Sequence, residues 1–227
     1  MKEAYEVLLK KNFPFWDQLN KEEKQQLIAA VGTRTYEKGA FVHSASEKCL
    51  GIILVQSGQL RVYIQSAEGR DITLYRLEAG EACTLSASCF MNEITFDILI
   101  DAEEETEVLL INPAVFNQVA SKNLYVENYM YKQATARFSD VMWTMQQILF
   151  LSFDKRLALF LLEESRRKGD PCIVMTHEQI AKYIGSAREV VSRMLKYFEE
   201  EGYLKLSRGK ITLLDEEALE ELSEDGI

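Results

Sequence analysis

Residues 176–198 read THEQIAKYIGSAREVVSRMLKYF. The apolar members Ile180, Ala181, Ile184, Val190, Val191, Met194, Leu195 and Phe198 recur at intervals of three and four, the period of a helix with one buried stripe. Thr176 with Gln179, and Ser186 with Glu189, both fit the S/T-x-x-E/Q capping box, so the stretch holds two helix starts. Gly185 stands just before the second, where a left-handed backbone ends the first helix and turns the chain sharply. Two short helices joined this way make a helix-turn-helix.

In that motif the second helix enters the major groove of DNA with its N-terminal residues at base edges, which singles out Arg188, Glu189, Ser192 and Arg193 as base readers. An arginine can fork onto guanine O6 and N7 and a carboxylate can accept from cytosine N4, so the expected half-site contains G·C pairs. As N3 of a capping box, Glu189 is also explained by helix stability alone, worth about 1 kcal/mol, and the two roles can coexist. Residues 203–214 read as strand, turn and strand, a wing whose Lys205, Arg208 and Lys210 are candidates for phosphates, or for plain solvated surface. Thr176, Ser186 and Lys196 complete the expected phosphate contacts.

This segment resembles the DNA-binding domain of the Crp/Fnr transcription regulators, the cyclic AMP receptor protein and its relatives. Their recognition helices carry R-E-x-x-x-R or E-x-x-S-R, and Arg188, Glu189, Ser192 and Arg193 satisfy both. The resemblance implies a winged helix-turn-helix behind an N-terminal antiparallel β-roll of the cyclic-nucleotide-binding type, an α+β chain that dimerises through a long helix. It also implies an operator in double-stranded DNA that is pseudo-palindromic, contact with RNA polymerase, and no catalytic activity.

Composition agrees with two domains. The 227 residues are 47% hydrophobic, enough for sizeable cores. The formal net charge of -10 looks unsuited to DNA, but residues 176–214 hold seven basic side chains against five acidic ones. Acidity gathers at residues 103–105 and 215–225, read as solvated faces. No apolar run reaches the length of a membrane span, and Met1-Lys2-Glu3 does not begin a signal peptide, so a cytoplasmic protein is expected. Cys49, Cys83, Cys89 and Cys172 lack the spacing of zinc or iron-sulfur ligands and read as small buried hydrophobes.

Towards the N-terminus, Asn20 can cap a helix over residues 21–31, followed by β-rich runs at 52–55, 60–64, 72–77, 94–100 and 108–111. Turn signals at Gly39, Gly58, Gly69 and Gly80 separate them, the pattern of a β-roll, and they fall where the Crp/Fnr sensory roll places turn glycines. Residues 1–114 are therefore the expected sensory domain, 115–150 the dimerisation helix and hinge, and 151–227 the DNA-binding domain.

One departure bears on the ligand. Cyclic-nucleotide binders of this family follow the Gly80 region with a glutamate for the ribose, then Arg-Ser or Arg-Thr for the phosphate. Here the register puts Leu85 at the first position and Phe96 and Asp97 at the pair, with no arginine between Arg76 and Arg137. Cyclic AMP is disfavoured, and the cofactor is left unnamed. Cys83, Leu85, Ser86, Cys89, Phe96 and Ile98 would line an apolar pocket for a small uncharged effector, or simply fill the roll.

Along residues 115–147 the helical period returns, and Ala134, Phe138, Val141, Met145 and Ile148 step by four, three, four and three, a coiled-coil seam for a homodimer. Trp143 and Thr144 lie off the seam where cyclic-nucleotide members reach the ligand, and Phe153-Asp154 resembles the family hinge, with a helix over 155–167 beyond it. Three alternatives accompany this reading. Cys83 and Cys89, or His43, could serve redox or haem sensing; the roll could be a binding module without DNA activity; a cupin-like enzyme would need clustered ligands, and His43 and His177 fall in different domains.

Overall fold

The computed structural model describes residues 2–43, 50–83 and 98–224. The chain folds as two compact units, Met1–Ile64 with Leu74–Val141, and Gln65–Thr73 with Met142–Ile227.

In the first unit, α1 (Lys2–Asn12), a 3-10 turn (Trp16–Gln18) and α2 (Lys21–Ala29) precede eight strands among the described residues. Asn20 caps α2 as a full capping box with Glu23, as its sequence predicts. The helix stops two residues before the expected 31, because Val31 opens β1 (Val31–Tyr36) and pairs with Ile111. Then come β2 (Phe41–His43), β3 (Ile52–Ser57), β4 (Leu60–Gln65), β5 (Asp71–Leu77), β6 (Ala82–Cys83), β7 (Leu99–Ala102) and β8 (Thr106–Ile111). They form two four-stranded antiparallel sheets, ordered β1-β8-β3-β6 and β2-β7-β4-β5, which is the β-roll.

The inner faces of the two sheets meet in a core of Ile53, Val55, Leu60, Val62, Leu77, Ile100 and Val108. The other face of the first sheet, through Ile52, Leu54, Leu109 and Ile111, is covered by Leu9, Phe13, Phe15, Trp16 and Phe116. Phe13 stacks on Phe15 at 5.1 Å and meets Tyr129 edge-on at 5.5 Å, so truncating Phe13 to alanine would cost roughly 3–5 kcal/mol. The turn between β3 and β4 needs its glycine twice over. Gly58 has φ +82°, and a Cβ there would stand 2.4 Å from the Glu105 carbonyl oxygen.

The helical stretch after β8 is two helices, α3 (Pro113–Ala120) and α4 (Leu124–Phe150). Asn112 caps α3 by accepting from the Ala114 and Val115 N–H groups, and proline takes a first-turn position. Among the described residues no helix is long and apolar enough to cross a membrane.

The second unit holds α5 (Phe153–Lys168), β9 (Cys172–Ile173), α6 (His177–Ile184), α7 (Arg188–Glu200), β10 (Leu204–Ser207), β11 (Lys210–Leu213) and α8 (Glu216–Glu224). Phe153 and Asp154, expected as a hinge ahead of the helix, are the first turn of α5. Gly169, in the left-handed region at φ +63°, closes it. Leu157, Leu161, Ile180, Val191, Leu195, Phe198, Leu204 and Ile211 form one core. The acidic tail is more than a solvated face. Helix α8 buries Leu219, the Ser165 hydroxyl is 3.0 Å from Glu216 Oε1, and Arg166 pairs with Glu220.

Candidate nucleic-acid interface

The first capping box forms as its sequence predicts. Thr176 Oγ1 accepts from the Gln179 N–H at 3.1 Å, and the Thr176 N–H donates to Gln179 Oε1 at 2.8 Å. At the other end of α6, Gly185 turns left-handed (φ +64°) and the Ser186 N–H donates to the Ala181 carbonyl at 2.9 Å. Arg156 of α5 donates to the Ile184 carbonyl at 3.0 Å, placing a cation at the negative end of α6.

The second capping box does not form. Ser186 closes α6 through its backbone, so the cap of α7 falls one residue later, on Ala187 (φ -90°, ψ 145°), whose side chain cannot accept. Glu189 thus occupies N2 rather than N3, exposed and without a capping role. The capping-box explanation of this carboxylate is removed, and its charge still favours the N-terminus of α7.

Helix α7 sorts its residues into two faces. Val191, Leu195 and Phe198 are buried; Arg188, Glu189 and Arg193 are exposed and Ser192 half-buried, together forming the opposite strip. Arg188 opens to the cleft shared with Thr176 and the wing, while Arg193 lines a second cleft with Asp154, Met194 and Tyr197. Lys196 is exposed too, with its Nζ 3.8 Å from Glu200, a weak helical pair. On the wing, Lys205, Arg208 and Lys210 are all exposed, and Ser207 pairs with Lys210 across the turn. Strand β9, which no pattern in the sequence signals, pairs with β11 and makes the wing the outer part of a three-stranded sheet.

These segments converge on a cleft of about 410 Å³, lined among others by Thr176, His177, Glu178, Arg188, Ser207 and Lys210. Within it, His177 Nδ1 lies 2.7 Å from Ser192 Oγ. Burial, and then the Arg188 charge, lowers the pKa of His177. Fifteen residues separate the partners, and no periodicity in the sequence announces the contact.

The expected effector residues are dispersed. Cys83 and Ile98 lie in the core between the sheets. Leu85, Ser86, Cys89 and Phe96, with Asp97, lie outside the described residues. Trp143 is exposed and Thr144 half-buried, both in the second unit. The roll instead contains a group that the sequence pattern does not single out. Arg137 of α4, only 9% exposed, donates to Glu81 at 3.1 Å and to Asp140 at 2.9 Å, with its guanidinium 4.7 Å above the Tyr75 ring. Burial disfavours its charge, but the bonded Glu81, together with Tyr75 and Asp140, more than offsets this, so its pKa is raised. Burial also lifts the Tyr75 pKa well above the ordinary phenol value, and its hydroxyl lies 3.9 Å from Cys83 Sγ.

The residues of the expected dimer seam divide by exposure. Phe138 (66% exposed), Met145 and Ile148 are open to solvent, whereas Ala134 is half-buried and Val141 packs against the core between the sheets. Val141 lies one turn beyond Arg137, on the inward face of α4. The exposed apolar ridge runs through Tyr131, Phe138, Met142, Met145 and Leu149.

Comparison with known proteins agrees with both halves. Residues 33–123 match the cyclic nucleotide-binding domain and residues 155–222 the Crp-like helix-turn-helix domain. The curated cyclic AMP receptor protein of Thermus thermophilus is 24% identical over 94% of this chain and 98% of its own. The anaerobic regulatory protein of Bacillus subtilis is 23% identical over 83% of this chain and 82% of its own. The crystal structure of a Crp/Fnr-family regulator from Eubacterium rectale superposes with a TM-score of 0.90 at 46% identity, covering 94% of this chain and 99% of that one. This chain belongs to the Crp/Fnr family of transcriptional regulators.

Proposed function

We propose that the chain acts as a homodimer, reads a pseudo-palindromic operator through Arg188, Glu189, Ser192 and Arg193, and is gated by a small effector other than cyclic AMP. The observation that carries the DNA reading is the exposed strip on α7, flanked by Lys205, Arg208 and Lys210 of the wing. Arg193 and Glu189 read opposite strands of a G·C pair, and Thr176, Ser186 and the wing cations meet phosphates. Residues 1–114 sense, 115–150 dimerise and 151–227 bind DNA, in the cytoplasm and in company with RNA polymerase.

A second copy of this chain covers the apolar ridge of α4, since a row of this kind is costly to leave in water. The half-sites then lie about 34–36 Å apart, one turn of duplex. The reading against cyclic AMP rests on Phe96 and Asp97, where relatives of this family place a phosphate clamp. Selection of binding sites from random duplexes tests the DNA reading; a selected set without two-fold symmetry would refute it. Calorimetry with cyclic AMP tests the effector, and a saturable site of micromolar affinity would overturn that part alone.

A further inference from the structure

We propose that His177 is a positioning residue that links a backbone phosphate to the base-reading hydroxyl of Ser192, so that Ser192 offers DNA an oxygen that only accepts. The inference rests on the reading of α7 as the recognition helix.

A serine within a helix commonly turns its hydroxyl back to the carbonyl four residues earlier. Ser192 does otherwise: its Oγ lies 2.7 Å from His177 Nδ1, a short contact between two helices. Among the described residues the ring has no other hydrogen bond, leaving Nε2 to the surroundings of the cleft. The charged groups there are Glu178 on the same helix, Arg188 on α7 and Lys210 on the wing, two cations against one anion. Such a cleft favours an anionic acceptor, and on DNA that acceptor is a phosphate oxygen.

The tautomer then follows. An Nε2–H donating to phosphate leaves Nδ1 as a lone pair, because a neutral imidazole carries one proton. In the free protein, burial and the Arg188 charge lower the His177 pKa and favour the neutral ring. With Nδ1 as acceptor, the Ser192 hydroxyl hydrogen is committed to it, and the remaining lone pairs of Oγ face outward. A free serine hydroxyl can donate or accept and so discriminates poorly among bases. A serine held in this way accepts from the amines adenine N6 or cytosine N4, and is mismatched to the carbonyls guanine O6 and thymine O4.

The test uses the full-length protein and an operator chosen by selection from random duplexes. Each half-site position is varied through all four bases, and affinity is measured by fluorescence anisotropy over a salt series. Wild type should favour adenine or cytosine over guanine or thymine at one position per half-site, by about two- to tenfold for a single hydrogen bond. Ser192→Ala and His177→Phe should both abolish that preference. His177→Asn can place an amide oxygen near the position of Nδ1 and should retain it, while weakening binding to all sequences alike through the lost phosphate contact, with the salt dependence unchanged because the neutral ring carries no charge. His177→Gln reaches only the position of Nε2 and should lose the preference while keeping the phosphate contact. The proposal is overturned if the base profile survives in His177→Phe or in Ser192→Ala, or if His177→Asn loses it as His177→Phe does. Arg193→Ala is run in parallel. Loss of discrimination there, with an unchanged profile in His177→Phe, refutes the histidine link and leaves the DNA reading standing; a wild type that discriminates at no position refutes both.

Discussion

Replacing Ala187 by aspartate should stabilise the DNA-binding unit and weaken its hold on DNA. Ala187 has the extended backbone of an N-cap but no side chain to accept from the first turn of α7, so that end lacks a side-chain cap. An aspartate cap contributes about 1 kcal/mol, and its charge beside the helix N-terminus a further ~0.3–1 kcal/mol. The sum of about 1–2 kcal/mol corresponds to a rise of at least ~4 °C in the melting of a unit this small. On DNA the same carboxylate faces phosphates and occupies the amides they would use, so affinity should fall about tenfold and the salt dependence by about one unit. Scanning calorimetry of the free full-length protein measures the first effect and anisotropy with a selected operator the second. Ala187→Ser separates cap from charge, retaining most of the stability gain with less loss of binding. The reasoning fails if Ala187→Asp leaves the melting temperature unchanged while Ser186→Ala lowers it, because Ser186 would then be the cap in solution.

Arg193→Ala should cost about 1–3 kcal/mol per half-site on the selected operator and little on a scrambled duplex, while Lys210→Ala should weaken both alike; equal losses for Arg193→Ala would make it a backbone clamp. Phe138→Glu with Met145→Glu should give monomers in sedimentation without unfolding the roll, since both side chains are exposed, and an unchanged dimer would exclude the ridge. Because the folded state lowers the His177 pKa, the neutral ring's contribution to stability is whole above the ordinary histidine value and is lost as pH falls through the lowered one. His177→Asn should therefore flatten the acid side of the stability curve of this unit; an unaltered slope would show that the ring does not titrate with folding.

The winged helix-turn-helix was legible because its determinants are local: the Thr176–Gln179 box, Gly185 and the three-four spacing of the core stripe all lie within one short stretch. The roll was legible from its turn glycines, and Gly39, Gly58, Gly69 and Gly80 all carry positive φ. Features that depend on partners distant in sequence were not. Ser186 looks like a cap until the Ala181 carbonyl claims its backbone N–H, and nothing near Val31 tells that Ile111 will draw it into a strand. Val141 fits a heptad as well as its neighbours do, yet its phase relative to Arg137 turns it inward. The contact of His177 with Ser192, and that of Arg137 with Glu81 across 56 residues, were beyond any periodicity argument.

The surroundings of Arg137 have a consequence for what the roll can admit. One guanidinium is shared between Glu81 and Asp140 above a phenol that burial keeps protonated, so these side chains together carry an excess of one negative charge. A phosphate or carboxylate guest seeking the two Nη groups would compete with Glu81 and Asp140 in a neighbourhood already negative, whereas the buried Nε has no partner among the described residues. At an effective dielectric of about 20, two like charges 4 Å apart repel by roughly 4 kcal/mol, comparable with the whole binding energy of a millimolar ligand. A neutral guest meets no such rival. The buried guanidinium of α4 is thus held at both Nη groups by resident carboxylates, and one buried N–H, at Nε, is left over.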